Sequence, residues 1–398
     1  MLSPESFYYS LREHYGHPSL DNVFFRPSYD GAKEIQNFMP YLHGDFKTRY
    51  FESMNLDEKI KFGSIFLHDQ EPIMDLFYLG NTYQKKYFPN RNPNIDEATK
   101  ILRAWFPSEK SPICCHSEKN SEEISILNNN GFIDCYYWYH GLISLSWFND
   151  WRWCKNLDQF KKNVGAKKFL MYARAFNGTR RYRQKLVDSL YEIRTHINYD
   201  WEKQKEITGE YSAVIDVDDA LNSHIHIVAE TIFNTDKQHL TEKSLKPIVM
   251  AQPFIMVSSA GSLEYLKSYG FKTFDSIWDE SYDRESDNDR RLSMIVDLIK
   301  KLSALSENEF EKIYKKTIPI IEHNRKWFYS DKFYNKLINE LETNMENAIS
   351  RRDEEYQKNP NRWFEDIDGL MFDTLQSIKQ YDQRPLLKYY LFLKSQID

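Results

Sequence analysis

The sequence predicts an α/β protein of two domains, each built on a parallel sheet, followed by a helical tail. Short β-prone runs bounded by turn residues alternate with helix-like stretches in both halves of the chain, and this alternation is typical of parallel sheets. The chain of 398 residues also exceeds the usual size of one domain, about 100–200 residues. With 41% hydrophobic and 28% charged residues, the composition is that of a globular protein.

The first half of the chain contains four β-prone segments. These predicted strands span residues 23–25, 64–68, 112–116 and 133–138. Ser121 is a favourable N-cap and precedes two glutamates, which favours a helix between the third and fourth strands. The polar stretch at 155–165 predicts a connection, so we expect a first α/β domain at 1–158.

The second half repeats the alternation and then becomes entirely helical. Predicted strands span 168–176, 212–215, 224–231, 253–257 and 272–274, and predicted helices span 180–193, 240–250, 262–269, 293–305 and 310–321. From about residue 324 onward the whole chain has helical character, judged from its apolar spacing. We therefore expect a second α/β domain at 159–330 and a C-terminal helical tail at 331–398.

Composition excludes several classes of protein. Only 13 residues are glycine, and no G-x-G-x-x-G or G-x-x-x-x-G-K-[ST] motif is present, which excludes glycine-rich dinucleotide and P-loop sites. The N-terminus lacks a secretion-signal pattern, and the longest weakly polar stretch, 248–263, is too short and too polar to span a bilayer. The four cysteines show no C-x-x-C spacing, which favours a reducing compartment. We therefore expect a cytoplasmic protein without a membrane partner.

The clearest candidate site combines the end of the strand at 224–231 with the start of the next helix. Its polar members are Glu230, Thr241, Glu242, Lys243 and Lys246. A helix N-terminus holds phosphate through free N–H groups and partial positive charge, and a carboxylate beside it can accept ribose hydroxyls. Ligands of open α/β sheets bind at the carboxyl ends of strands. The pattern predicts a nucleotide site; the alternative is a capped helix with solvated charges.

Several motifs in this half resemble one enzyme family. They are E-T-x-F at 230–233, L-T-E-K-S-x-K-P at 240–247, P-F-I at 253–255 and G-S-L-E-Y-L-K-S-Y-G-F-K-T-F at 261–274. Together they resemble the C-terminal donor domain of GT-B glycosyltransferases of viral and phage type, with a weaker likeness to fucosyltransferases. The segments H-D-Q-E-P at 68–72 and H-S-E-K-N-S-E at 116–122 resemble pieces of such phage enzymes less specifically. The resemblance covers about 168–330 and implies two Rossmann-like domains facing a cleft, with the domain at 1–158 on the acceptor side and the domain at 159–330 binding the nucleotide sugar.

The resemblance also implies a donor site. In that family two glutamates contact the nucleotide of the donor, and nearby basic residues hold its diphosphate, which implies these roles for Glu230 and Glu242 and for the lysines beside them. The donor-binding residues that follow are Arg174, Arg180, Arg181, Arg183, Glu230, Thr241, Glu242, Lys243 and Lys246. The implied co-substrate is a nucleotide sugar, UDP- or GDP-linked, with no other cofactor.

The arginines also point to an anion on physical grounds alone. The predicted helix begins with Arg180, Arg181 and Arg183. Positive side chains at a helix N-terminus are unfavourable because of the helix dipole, and a bound anion would offset their charge. The alternative is a helix whose basic residues serve only solubility. The surrounding segment, 151–194, holds twelve Lys or Arg against three Asp or Glu, with aromatic residues interleaved. Such a composition suits a nucleic-acid backbone and predicts DNA as a partner, or else it serves only the donor diphosphate and packing.

A transfer to a hydroxyl needs a general base, which belongs at the carboxyl end of a strand facing the ligand. Asp69 and Glu71 follow the strand predicted at 64–68, and His140 follows the one at 133–138, so these three are the candidate catalytic residues, although each could be structural. The D-x-D run at 216–218 is better explained as a helix cap. His224 and His226 share one strand face without further ligands nearby, so we expect no metal site.

Together these observations predict a metal-independent glycosyltransferase, hexosyl or pentosyl, that transfers sugar from a nucleotide sugar to an acceptor hydroxyl. The leading acceptor is a hydroxymethylated pyrimidine in phage DNA, flipped out of the duplex, which would place the enzyme in the host cytoplasm. One alternative acceptor is a surface glycan or a protein. A different alternative is a non-catalytic module that binds a nucleotide sugar or a glycan. The fucosyltransferase likeness favours inversion at the sugar.

Overall fold

The computed structural model describes residues 23–25, 65–68, 72–73, 111–148, 151–152, 162–176, 178–201 and 214–359. It confirms the predicted α/β class with parallel sheets. The described residues form two units, one from His140–Asn339 and one that combines those of Leu2–Tyr139 and Glu340–Asp398. The boundary expected after residue 158 lies outside the described residues, and the arrangement of two domains around a cleft stays a prediction.

The first sheet has four parallel strands in the order β1-β2-β3-β4. They are β1 (Val23–Phe25), β2 (Ile65–His68), β3 (Ile113–His116) and β4 (Ile133–Tyr136), close to the predicted positions. Helix α1 (Glu122–Asn129) connects the last two strands. Ser121 is its N-cap, as expected, but the Ser121 hydroxyl bonds Glu123 rather than the backbone of the first turn.

The second sheet has the order β6-β5-β7-β8 and is also parallel. Its strands are β5 (Lys167–Met171), β6 (Ile197–Asn198), β7 (Ser223–Ala229) and β8 (Phe254–Val257). Strands β5, β7 and β8 were predicted from the sequence, whereas the two-residue β6 was not. Ile225 and Ile227 on β7 and Phe169 on β5 are fully buried. Because all four strands are parallel, their carboxyl ends meet at one edge of this sheet.

Two strands expected in this half are absent from the described residues. Val214 and Ile215 lie outside any strand, just before helix α4 (Val217–Leu221). The segment 272–274 is likewise not a strand. The Lys272 N–H donates to the Asn324 side chain (2.7 Å), and the Asn324 amide donates back to the Lys272 carbonyl (2.8 Å). Asn324 therefore supplies the hydrogen bonds that a neighbouring strand would have given.

Most of the described residues outside the two sheets are helical. Besides α1 and α4, the helices are α2 (Tyr139–Trp147), α3 (Tyr182–Leu190), α5 (Glu242–Val249), α6 (Ser262–Ser268), α7 (Asn288–Ser303), α8 (Glu307–Phe328) and α9 (Asp331–Lys358). Helix α9 begins where the helical tail was expected, and the tail after residue 359 lies outside the described residues. Among the described residues no helix has the length and apolar character needed to cross a bilayer.

Candidate functional site

Glu230 directly follows β7 at the carboxyl edge of the second sheet and is completely buried. Its carboxylate accepts four hydrogen bonds, two at each oxygen. The donors are Thr241 N–H (3.1 Å) and Ser244 Oγ (2.5 Å) to Oε1, and Thr241 Oγ1 (2.7 Å) and Thr231 N–H (3.2 Å) to Oε2. These bonds tie the end of β7 to the start of α5. The ribose-binding role predicted for Glu230 would require some of them to break.

The start of α5 has the cap that the sequence predicts. Thr241 is the N-cap, and its hydroxyl accepts from the Lys243 N–H at 3.4 Å. The Lys243 ammonium donates to the same hydroxyl at 3.0 Å and to Thr231 Oγ1 at 3.4 Å. The hydroxyl of Thr241 therefore links the buried Glu230 to the cation of Lys243.

Glu242, the first residue of α5, is a buried carboxylate with two cationic or titratable neighbours. His140 Nδ1 lies 3.5 Å from its Oε2, and Lys243 Nζ lies 3.1 Å from its Oε1. Burial acts to raise the pKa of Glu242, but Lys243, His140 and Lys246 outweigh it and lower that pKa to about 2. Glu242 is therefore ionised at neutral pH.

His140 is the one predicted base that the structure describes, since Asp69 and Glu71 lie outside the described residues. Its ring is 2% exposed and packs edge-on against the His239 ring, with centroids 5.5 Å apart. The pairing of His140 with Glu242 was not predicted from the sequence, and neither was the proximity of His239. No spacing rule relates residues 140 and 242, so only the fold reveals this contact.

Three cationic side chains lie near this edge of the sheet, those of Lys243, Lys246 and Arg174. Burial lowers the pKa of Lys246 to about 8; Glu242 opposes that shift, while Lys243 and Arg174 add to it. Arg174 follows β5, and its exposed side chain lies over the Tyr172 ring, 5.3 Å from the centroid. The mutual repulsion of these cations is relieved when an anion binds among them.

The arginines predicted to bind phosphate have different surroundings. Arg183 is buried, and its Nη2 donates to the carbonyls of Ala229 (2.8 Å) and Glu230 (2.9 Å). These bonds assign Arg183 to holding the strand ends rather than to a ligand. Arg180 lies in a 3-10 turn, and Arg181 is exposed just before α3, which begins at Tyr182 rather than at the predicted position 180. Phosphate binding by Arg180 and Arg181 stays a prediction.

The basic segment 151–194 is only partly an open cationic surface. In its described part, Lys162, Lys167 and Lys168 donate to main-chain carbonyls, as Arg183 does. Lys168, for example, is buried and donates to the Ser303 carbonyl at 2.9 Å. Such lysines satisfy the backbone, which lessens the positive charge available to a nucleic acid.

The acidic run after residue 215 has the structural role predicted for it. Asp216 caps α4 by accepting from the Asp219 N–H at 2.9 Å. Asp219 in turn accepts from the Tyr172 hydroxyl (2.8 Å) and from the Asn198 amide (3.0 Å). Within the described ranges, no group of three or more His, Cys, Asp or Glu residues is arranged to hold a metal ion.

No protein-family model, curated protein or solved structure matches this chain. The chemistry of the site is therefore inferred from its own residues: an ionised Glu242 between His140 and Lys243, with Lys246 and Arg174 beside it.

Proposed function

We propose that this chain is a glycosyltransferase that moves a sugar from a nucleotide sugar to an acceptor hydroxyl. The observation that carries the proposal is the cluster at the carboxyl edge of the second sheet, where His140 and Lys243 contact the buried Glu242. Parallel α/β sheets bind ligands at this edge. The cluster combines cations for a departing diphosphate with a histidine for an acceptor proton.

The cations would stabilise the leaving group. Breaking the bond between the anomeric carbon and the phosphate oxygen leaves both bonding electrons on the nucleoside diphosphate. Lys243, Lys246 and Arg174 can offset that charge, and preorganised charges of this kind lower the barrier most in a site that excludes water. Side-chain cations would thus do what a divalent cation does in other transferases.

His140 would accept the proton of the acceptor hydroxyl as its oxygen bonds to the anomeric carbon. A carboxylate beside an imidazole favours the protonated ring, which makes the histidine a stronger base. Nδ1 lies 3.5 Å from Glu242 Oε2, so Nε2 would be the nitrogen that takes up the acceptor proton. Glu242 would stabilise the protonated ring of His140 in this step. That role either accompanies the nucleotide contact predicted for Glu242 from the sequence or replaces it.

The class of acceptor depends on how much positive charge the basic segment 151–194 leaves accessible. A hydroxymethylated pyrimidine in phage DNA was the leading prediction because of the basic segment 151–194. In its described part, however, five basic residues donate to main-chain carbonyls. This observation favours the second candidate, a hydroxyl of a glycan or a protein.

The test is a thermal-shift screen against UDP, GDP, CMP and dTDP and their sugar conjugates, with and without a divalent metal. A ligand at 100-fold its Kd adds about 2.7 kcal/mol, which should raise Tm by roughly 5–10 °C. Lys243→Ala should abolish the shift, and the control Lys315→Ala, which changes a lysine with 66% side-chain exposure on α8, should keep it. No shift with any nucleotide, in protein that melts cooperatively, would contradict the donor site.

A nucleotide that shifts Tm is then the donor for an acceptor assay. Activity on hydroxymethylated DNA that falls steeply with salt would support the DNA acceptor. Activity on a glycan or protein alone would support the second candidate. Binding without transfer to any acceptor would support the non-catalytic module.

A further inference from the structure

The aromatic ring of Tyr172 lies directly beneath a cation of the proposed donor site. Tyr172 is the first residue after β5, and the Arg174 guanidinium lies over its ring, 5.3 Å from the centroid. A guanidinium over an aromatic face is held there by attraction to the ring electrons. Because the side chain is already ordered, it loses less conformational entropy when it binds a ligand.

The ring of Tyr172 is itself fixed from two sides. Its hydroxyl donates to Asp219 Oδ2 at 2.8 Å, and Asp219 Oδ1 accepts from Asn198 at 3.0 Å. The ring also meets the buried His226 ring edge-on, with centroids 5.4 Å apart. Burial raises the pKa of the Tyr172 hydroxyl, and the Asp219 carboxylate adds to this effect, so the hydroxyl stays protonated and keeps donating.

We propose that Tyr172 is a positioning residue that orients Arg174 toward the diphosphate of a nucleotide ligand, with Asp219 and Asn198 holding the tyrosine in place. The inference rests on the proposed function, because it assumes that a diphosphate binds at this edge. The sequence placed Tyr172 in the strand predicted at 168–176, among the aromatic residues of the basic segment, and gave it no role toward Arg174.

The experiment measures Kd for inorganic pyrophosphate, and for the nucleoside diphosphate found by the thermal screen, by titration calorimetry. Arg174→Ala should weaken binding about tenfold, because charge-assisted hydrogen bonds to phosphate are lost. Tyr172→Leu removes the ring and should weaken binding about three- to tenfold. Tyr172→Phe keeps the ring and loses only the hydrogen bond to Asp219, so it should weaken binding less than Tyr172→Leu does.

A double-mutant cycle then separates positioning from a general structural effect. If Tyr172 acts through Arg174, Tyr172→Leu should have no further effect on Kd in the Arg174→Ala background. Equal losses in both backgrounds would overturn the inference while leaving the donor site intact. If the wild type binds neither pyrophosphate nor any nucleoside diphosphate, the proposed function fails and the inference fails with it. Should Tyr172→Leu not melt cooperatively, Tyr172→Met fills a similar volume and replaces it in the same cycle.

Discussion

The Thr241 hydroxyl donates to Glu230 Oε2 at 2.7 Å and, in the same position, accepts from the Lys243 ammonium at 3.0 Å. A buried carboxylate at the end of β7 is thereby joined to a cation at the start of α5 through a single hydroxyl group. The position of the Lys243 ammonium in the proposed diphosphate site thus depends on Glu230, which need not contact the ligand. Glu230 is completely buried and accepts four hydrogen bonds. These hydrogen bonds offset the cost of desolvating the carboxylate.

Glu230→Gln should destabilise the fold by about 3 kcal/mol, because the glutamine NH2 group would face donors and break part of the network. The control is Glu322→Gln, which changes an exposed glutamate on α8 and should cost less than about 0.5 kcal/mol. Urea unfolding of both variants gives the comparison. An equal, small cost for both would mean that the network around Glu230 contributes little to stability.

Gly270→Ala should be strongly destabilising. Gly270 has a φ of +98°, and a Cβ atom there would lie 2.6 Å from the Trp327 indole ring. The positive φ alone costs an alanine about 1–2 kcal/mol, and the clash with a large ring adds to it. Gly165→Ala is the matched control, since its φ is +79° with no atom within 4 Å of the new Cβ. Chemical unfolding should show the Gly270 variant losing clearly more stability; similar losses would mean that the indole moves aside.

The sequence predicted those features of this site that depend on residues close together in the chain. It did not predict the contacts between residues that are far apart in the chain. Thr241 and Asp216 were correctly predicted as helix caps. A cap can be predicted because the capping side chain bonds a residue only two or three positions away. The pairing of His140 with Glu242 joins residues that no local pattern relates. The same holds for Asn324, whose side chain satisfies the backbone at Lys272 in a segment where β-prone residues predicted a strand.

Arg183 illustrates a second limit of prediction from sequence. Its position after a strand and near a helix start suggested phosphate binding, because exposed arginines at such places bind anions. In the fold, Arg183 is buried against the carbonyls of Ala229 and Glu230. Burial decides between the two roles, and the sequence around residues 177–185 does not reveal it.

Stability should fall as pH rises from about 4.5 to 7 because of Glu280. Its side chain is 8% exposed, and burial raises its pKa to about 7, although the neighbouring Thr273 and the hydrogen bond from the Phe274 N–H (2.9 Å) oppose the shift. Since the folded state holds this proton more tightly than the unfolded state, stability is highest below the unfolded pKa and is lost up to the folded pKa. The loss amounts to roughly 3 kcal/mol at most.

The measurement for Glu280 is Tm at pH 5 and at pH 8 for the wild type and two variants. Glu280→Gln cannot ionise, so its Tm should fall less than that of the wild type across this range. Asp297→Asn changes an exposed carboxylate on α7 and should follow the wild type. A wild-type Tm difference that Glu280→Gln leaves unchanged would assign the pH dependence to another group.

Binding of a nucleotide sugar at pH 8 should draw a proton onto Lys246. Burial lowers the pKa of this lysine to about 8 in the free protein, so about half of the molecules carry its charge at that pH. A bound diphosphate favours the charged form and raises the pKa, which gives an uptake of about 0.5 proton at pH 8 and little at pH 6. Nucleotide sugars suit this test because their diphosphate, esterified at both ends, does not titrate in this range.

Calorimetry in two buffers of different ionisation enthalpy measures the uptake directly. Lys246→Arg keeps the positive charge at every pH used, so it should bind the nucleotide sugar with little or no proton uptake. His140→Gln, which removes the imidazole beside Glu242, should retain the uptake at pH 8. Uptake that survives in Lys246→Arg would show that the proton goes to a different group and that Lys246 lies outside the diphosphate site.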